Sequence, residues 1–148
     1  MGYNFEKFAG KANEFVKDVA ERLGEPGDTD KAARVLRAVL HALRNRITVE
    51  ESLQLISQLP LFLKGVYVDG WKRGEYKRKK HISEFVDEII EEAGATGSYD
   101  FPTEDAAIKA IGAVFAVLKE QVSEGQINDI RAVFPVELKQ LWDEQIVF

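Results

Sequence analysis

Two histidines, His41 and His81, are the only imidazole side chains in the chain that could ligate a metal or exchange a proton near neutral pH. Neither completes a Glu-x-x-His or His-Glu-x-x-His pattern, because Ala38 and Arg78 stand three residues before them. The chain has no cysteine, which excludes thiolate metal sites, disulfides and cysteine nucleophiles. His41 falls one position beyond an apolar stripe. We therefore predict a partly buried, hydrogen-bonded side chain there rather than a ligand or general base.

Carboxylate pairs occur at Glu50-Glu51, Asp87-Glu88 and Glu91-Glu92. Acid-base catalysis needs two carboxyl groups that face one cavity and have separated pKa values. These pairs have polar neighbours, and we predict that they lie on solvated helix surfaces. The chain contains no phosphate-binding glycine loop and no Gly-x-Ser-x-Gly turn, and residues 94–98 are predicted to form a plain loop. We predict no catalytic residues, no metal site and no cofactor.

The clearest binding chemistry runs from Tyr67 to His81. Residues 72–80 hold six basic residues and one acid, a charge of +5, so the rest of the chain sums to −10 for a net charge of −5. Aromatic and basic side chains in alternation can stack on bases and neutralise phosphates, or hold an acidic protein or an anionic membrane surface. The candidate partner-binding residues are Tyr67, Trp71, Lys72, Arg73, Tyr76, Lys77, Arg78, Lys79, Lys80 and His81.

A structural role is the alternative for the same segment. Tyr67 and Trp71 would then anchor it to the core, while its lysines keep it soluble. The apolar C-terminal residues Ile146-Val147-Phe148 also have two interpretations, docking on a partner or folding back on the chain's own body.

Apolar residues recur at spacings of three and four, and strand signals are nearly absent, so the sequence predicts an all-α fold. The first helix is capped by Asn4 and ends at Gly24. Its apolar stripe comprises Phe5, Phe8, Ala12, Phe15, Val16, Val19 and Leu23. The second helix follows Asp28-Thr29. Its apolar stripe comprises Ala32, Ala33, Leu36, Val39, Leu40, Leu43 and Ile47. Its arginines are predicted to lie mostly away from that stripe, and they are Arg34, Arg37, Arg44 and Arg46.

Two capping boxes, Thr48-x-x-Glu51 and Ser123-x-x-Gln126, predict the starts of two further helices. The first of these is expected to bury Leu53, Ile56 and Leu59, and the second Ile127, Ile130 and Phe134. Pro60 and Pro135 suit the first turns of short helices. The first short helix carries Leu63, Val66 and Tyr67 inwards, and the second carries Leu138, Leu141 and Trp142.

The two halves of the chain resemble each other. Residues 30–67 align with residues 105–142 at an offset of 75, and Glu14-Phe15-Val16 aligns with Glu84-Phe85-Val86 at an offset of 70. We predict one all-helical domain over residues 1–148, built of two tandem four-helix repeats packed with pseudo-two-fold symmetry. The repeats span residues 4–71 and 81–145, and a basic connector of residues 72–80 joins them.

Several sequence segments in the two halves resemble the DUF2267 family of bacterial proteins. They are residues 43–51, Gln58-Leu59-Pro60 and Gly65-x-Tyr67-x-x-Gly70-Trp71, with residues 122–127 and Leu141-Trp142 in the second half. The resemblance covers most of the chain. It implies a small bacterial all-α domain of unknown function, and it supplies no catalytic residues.

These observations predict a non-enzymatic helical interaction domain that binds a protein partner of acidic character. We expect it in the cytoplasm, because it lacks cysteine, a signal-peptide core and an apolar run long enough to span a bilayer. Two alternatives stay open. One is nucleic-acid binding through the basic connector, which the acidic remainder of the chain disfavours. The other is a small-ligand or enzyme site between the repeats.

Overall fold

The computed structural model describes residues 4–72 and 80–143, and within these ranges every regular element is helical. The prediction of an all-α fold is therefore confirmed. The helices are α1 (Phe5–Arg22), α2 (Thr29–Arg44), α3 (Val49–Gln58), α4 (Leu61–Val68), α5 (Ile82–Ala93), α6 (Gly97–Asp100), α7 (Glu104–Gln121), α8 (Glu124–Ala132) and α9 (Val136–Asp143), with a 3₁₀ turn at Gly94–Thr96. Among the described helices, none is long and apolar enough to cross a membrane.

The helices begin where side-chain oxygens accept free backbone amides of the first turn. Asn4 accepts from the Lys7 amide at 3.2 Å, as predicted. The other side-chain caps are Asp28, Thr48, Thr103 and Ser123. Gly24 follows α1 with a φ of 78°, a left-handed conformation that glycine adopts without steric cost.

The two predicted capping boxes form only in part. Thr48 and Ser123 cap their helices, but the amide of Ser123 donates to Gln58 Oε1 at 2.7 Å instead of bonding Gln126. The side chain of Gln126 donates across to Glu51 Oε2 at 3.0 Å. Glu51 and Gln126, the last residues of the two motifs, therefore join α3 to α8 instead of bonding back to the amides of Thr48 and Ser123. The bond from a cap amide to the side chain three residues later does form at α5, where the amide of His81 donates to Glu84 Oε1 at 3.3 Å.

The core lies around α2 and α7, which contact each other and most of the other helices. Aromatic side chains fill its centre. Phe115 stacks on Trp142 with ring centroids 3.7 Å apart, and Phe134 meets both of them edge-on. Burial of the predicted inward residues of α4, α8 and α9 follows the sequence pattern, with Leu63, Tyr67, Ile127, Ile130, Phe134, Leu138, Leu141 and Trp142 buried and Val66 partly buried.

Several burial predictions are wrong. Leu53 is 57% exposed. Helix α3 instead buries Ser52 and Leu55, which lie on a different side of the helix. Ala33 and Phe5, at the edges of their predicted stripes, are exposed.

Three charged residues are buried against expectation. Arg44 and Arg46 were predicted to lie outside the apolar stripe, and Glu88 on a solvated face, yet all three are buried. Each has at least one polar partner that replaces part of its contact with water.

Residues 94–98 are not the plain loop that the sequence predicted. They form the 3₁₀ turn and open α6, which is tied to α2 by the two-pronged contact of Arg34 with Asp100, both bonds 2.9 Å long. Gly97 makes the close packing possible, because a Cβ there would lie 2.6 Å from the Ile90 carbonyl oxygen.

Candidate functional site

The structure places five of the predicted partner-binding residues. Tyr67, Trp71 and Lys72 lie before the undescribed part of the connector, and Lys80 and His81 lie after it. The other five predicted residues (Arg73, Tyr76, Lys77, Arg78 and Lys79) fall outside the described residues, as do Ile146, Val147 and Phe148. The described part of the site therefore consists of the two ends of the connector and the elements that hold them.

The aromatic residues at the first end belong to the core. Tyr67 is completely buried, and its hydroxyl lies 2.6 Å from the Ser52 hydroxyl. Burial raises the pKa of the Tyr67 phenol well above its usual range, so it stays neutral. Trp71 is half-buried and meets the Tyr67 ring edge-on, with centroids 5.9 Å apart. Tyr67 offers no ring face to a ligand, and this pair has the geometry of an anchor.

Two basic side chains of α2 hold the C-terminal end of α4. His41 Nε2 lies 2.7 Å from the Val66 carbonyl oxygen. Arg44 Nη1 donates to the carbonyl oxygens of Tyr67 and Asp69, at 2.7 and 2.8 Å. The last carbonyls of a helix lack partners within the helix, and they carry partial negative charge that a cation stabilises. This α4 clasp, defined as His41 and Arg44 on these three carbonyls, fixes the point from which the connector leaves.

His41 acts in the clasp as a neutral donor. Its Nδ1 faces Glu92, 3.9 Å from Oε2. Burial lowers the pKa of His41, and the charges of Arg44 and Arg37 lower it further, against the opposing effects of the Val66 carbonyl and Glu92. The predicted hydrogen bonding of His41 agrees with this geometry, and the side chain is more deeply buried than expected.

A second buried polar contact joins the end of α2 to α5. Arg46 Nη2 lies 3.1 Å from Glu88 Oε2, and both side chains are at most 3% exposed. The Arg46 guanidinium carbon also lies 5.1 Å from the centre of the Phe85 ring. Among the described residues, Glu88 Oε1 has no hydrogen-bond partner. Sequence reasoning missed this pair, although Glu88 stands three residues after Phe85, at the spacing of the buried face of α5.

The far end of the connector is fixed to α9. The side chain of His81 contacts Glu137, with Nδ1 3.0 Å from Oε2, and the amide of Ile82 donates to the same oxygen at 3.3 Å. Lys72 and Lys80, which flank the undescribed residues, are both exposed. The connector therefore starts and ends at fixed points of the body, and the two lysines nearest those points face solvent.

The described residues contain no group of three or more His, Asp or Glu side chains arranged to hold a metal ion. The chemistry of the site is that of hydrogen bonds and charge. Its buried cations stabilise the α4 clasp and the Arg46–Glu88 pair, and its exposed cations are available at the surface.

Comparison with known proteins adds a family assignment. No curated protein matches the chain. The family model described as "Uncharacterized conserved protein (DUF2267)" matches residues 12–141, which include α2 to α8 and most of α1 and α9. This match covers most of the chain and agrees with the resemblance of the sequence segments around the α4 clasp. The chain therefore belongs to the DUF2267 family.

Proposed function

We propose that this chain is a non-enzymatic, cytoplasmic helical domain that binds an acidic protein partner through the basic connector of residues 72–80. The observation that carries the proposal is the anchoring of the connector at both ends, by the α4 clasp and Trp71 on one side and by Glu137 on the other. We propose further that the domain consists of two tandem repeats, residues 4–71 and 81–145, related by a pseudo-two-fold axis.

The helix boundaries support the repeat. The offset of 75 residues found in the sequence relates the first residues of α2 and α7, of α3 and α8, and of α4 and α9. It also relates the last residues of α4 and α9, and the capping residues Asp28 and Thr103. Equivalent sequence positions therefore begin equivalent elements.

Equivalent contacts within each half support it too. Arg44 donates to the Tyr67 carbonyl at 2.7 Å, and Lys119, 75 positions later, donates to the Trp142 carbonyl at 2.8 Å. Tyr67 and Trp142 are themselves 75 positions apart. Each long helix thus holds the end of its short helix with a cation.

Contacts between the halves follow the same rule. Glu51 and Gln126 are equivalent positions and bond to each other, as expected of residues beside a two-fold axis. Asn45 bonds to Glu92 at 3.2 Å. The positions equivalent to Asn45 and Glu92, at the offsets of 75 and 70, are Glu120 and Arg22, which form an ion pair.

The charge distribution supports an acidic partner. The connector carries +5 against −10 for the remainder, so it is the part of the chain to which an acidic surface is drawn. The described ends of the connector adjoin the α4 clasp on one side and the contact of His81 with Glu137 on the other.

The test measures association rates. The partner is captured on immobilised wild-type chain from a lysate of the native organism, identified and purified. Its association rate is then compared for wild type and a variant with Lys77, Arg78, Lys79 and Lys80 changed to Gln. The control changes Lys7, Lys11, Lys17 and Arg37 to Gln, which removes the same number of lysines and arginines from exposed helix positions.

We expect the connector variant to associate about tenfold more slowly at low salt, with a weaker salt dependence, and the control to behave as wild type. An equal decrease of the association rate in both variants would show that net charge alone matters. An unchanged association rate in the connector variant would refute the site. Binding of single-stranded RNA or DNA that falls steeply with salt, and that only the connector variant loses, would replace the protein partner with a nucleic acid.

A further inference from the structure

The outer sides of α3 and α4 expose apolar side chains. On α3, Val49 and Leu53 are more than half exposed and Ile56 is partly exposed, at spacings of four and three that place them on one side of the helix. On α4, Leu61 and Phe62 are both 39% exposed and Val68 is 43% exposed. Gly65 lies between them with open space where a side chain would be. We call this set the α3–α4 face, and its members are Val49, Leu53, Ile56, Leu61, Phe62, Gly65 and Val68.

The equivalent positions of the second half are mostly polar. At the offset of 75, the α3–α4 face corresponds to Glu124, Asn128, Arg131, Val136, Glu137, Gln140 and Asp143. Only Val136 is apolar. The same pair of helices can therefore fold with a solvated outer side, and the apolar side chains of the first half are not required by the fold.

The second half also shows which positions adjoin each other. Arg131 of α8 forms two bonds with Asp143 of α9, at 2.7 and 2.6 Å. The equivalents of these residues are Ile56 and Val68. Since α3 contacts α4 as α8 contacts α9, the proposed repeat places Ile56 beside Val68. An apolar pair thus replaces an ion pair and makes the exposed surfaces of α3 and α4 continuous.

We propose that the α3–α4 face is a docking surface for an acidic amphipathic helix of the protein partner. The inference rests on the proposed function and adds the surface and the kind of segment that it binds. An apolar face of this type accepts side chains spaced at three and four along a partner helix. Charge complementarity identifies the occupant as acidic, because the +5 connector begins four residues after Val68, at the exposed Lys72.

The same charge argues against a second copy of this chain as the occupant. A two-fold dimer through α4 of both copies would bring the two exposed Lys72 residues, at which the connectors begin, near the same axis. Two charges of +5 would then repel each other, whereas an acidic helix neutralises one of them.

The test uses three synthetic fluorescent peptides of about 18 residues, or five helical turns. The first has leucines on one side and glutamates elsewhere, the second has lysines in place of the glutamates, and the third has the first composition in scrambled order. Binding is measured by fluorescence anisotropy. The graft variant gives the first half the residues of the second, through Leu53→Asn, Ile56→Arg, Phe62→Glu and Val68→Asp. A matched pair of single variants, Leu61→Glu and Val136→Glu, compares equivalent exposed positions.

We expect the acidic amphipathic peptide to bind wild type at least about tenfold more tightly than the other two peptides. The graft and Leu61→Glu should weaken that binding about tenfold, while Val136→Glu leaves it unchanged. Circular dichroism verifies that each variant is folded, and Leu61→Glu carries the test if the graft is not.

The outcomes separate this inference from the proposed function. If the connector variant loses the peptide and the graft and Leu61→Glu do not, the connector binds and the α3–α4 face does not. If wild type binds no peptide but the purified partner still requires the connector, the amphipathic helix is the wrong occupant. If sedimentation shows wild type to be a dimer that the graft converts to a monomer, the face is a self-association surface and this inference is overturned.

Discussion

Replacing Glu88 with Gln should destabilise the domain strongly, because it removes the charge that balances the buried Arg46. The two side chains are at most 3% exposed and 3.1 Å apart. Breaking a buried pair by removing one partner costs about 3–5 kcal/mol. A chain of this size loses roughly 2–4 °C of melting temperature per kcal/mol, so the midpoint should fall by about 10 °C.

Removing both charges should recover most of this loss. The double variant Arg46→Met with Glu88→Leu replaces the ion pair by apolar side chains of similar volume, a change that is often neutral or stabilising. Urea unfolding followed by far-UV circular dichroism gives the free energy of unfolding of wild type, of the single variants Arg46→Met and Glu88→Leu, and of the double variant, with Glu88→Gln measured beside them. The double-mutant cycle should yield a coupling of at least about 2 kcal/mol.

The exposed pair Arg131–Asp143 is the control for this cycle. It has shorter bonds than Arg46–Glu88, yet its side chains are 38% and 50% exposed, so water and salt screen it. Its coupling should be far smaller, and it should decrease with salt. A Glu88→Gln cost under about 1 kcal/mol, or an Arg46–Glu88 coupling no larger than that of the control, would refute the argument that desolvation of Arg46 dominates.

Two further predictions concern packing and pH. Gly97→Ala should cost about 1–3 kcal/mol in urea unfolding, because its Cβ would lie 2.6 Å from the Ile90 carbonyl oxygen. Gly10→Ala in the open interior of α1 should instead stabilise by about 0.5–1 kcal/mol, and equal effects would contradict the steric explanation. Burial lowers the pKa of His41 below 6.5, so the unfolded chain binds more protons and stability should fall as pH drops below about 6.5. His41→Gln, whose amide can still donate to the Val66 carbonyl, should lose less stability than wild type between about pH 7 and pH 5. Identical pH profiles of stability would rule out His41 as the source of the pH dependence.

The features that the sequence predicted correctly depend on local chemistry. Helix starts at Asn4, Thr48 and Ser123 follow from side chains that bond amides within the next turn. The start of α4 after Pro60 follows from the fixed backbone angle of proline. Such signals act over three or four residues and can be recognised before the tertiary structure is known.

The features that it missed depend on contacts between distant residues. Helix α3 has apolar residues on two sides: the predicted set of Leu53, Ile56 and Leu59 fits a helical stripe, and so do Leu55 and Leu59, of which Leu59 is buried as predicted. The buried hydroxyl of Tyr67 selects the second by pairing with Ser52, 15 residues away. Periodicity alone cannot show which side of a helix a distant partner will cover.

The candidate site divides in the same way. The sequence identified Trp71 and the basic residues of the connector, since composition reveals a local concentration of charge. The α4 clasp could not be predicted, because an arginine in a helix gives no sign of a carbonyl partner 23 residues later. Whether the connector binds a partner stays a prediction, as does the arrangement of the two repeats.

The α4 clasp connects the stability of the domain with its proposed function. An eight-residue helix is too short to be stable in isolation, and α4 exposes part of its apolar surface. His41 and Arg44 compensate by binding its free carbonyls from the buried side, and Ser52 holds Tyr67. All of these contacts lie inward, so none of them occupies the outward α3–α4 face. A binding helix held in this way keeps its apolar side chains in place without a ligand, and a partner that docks there loses less free energy to ordering.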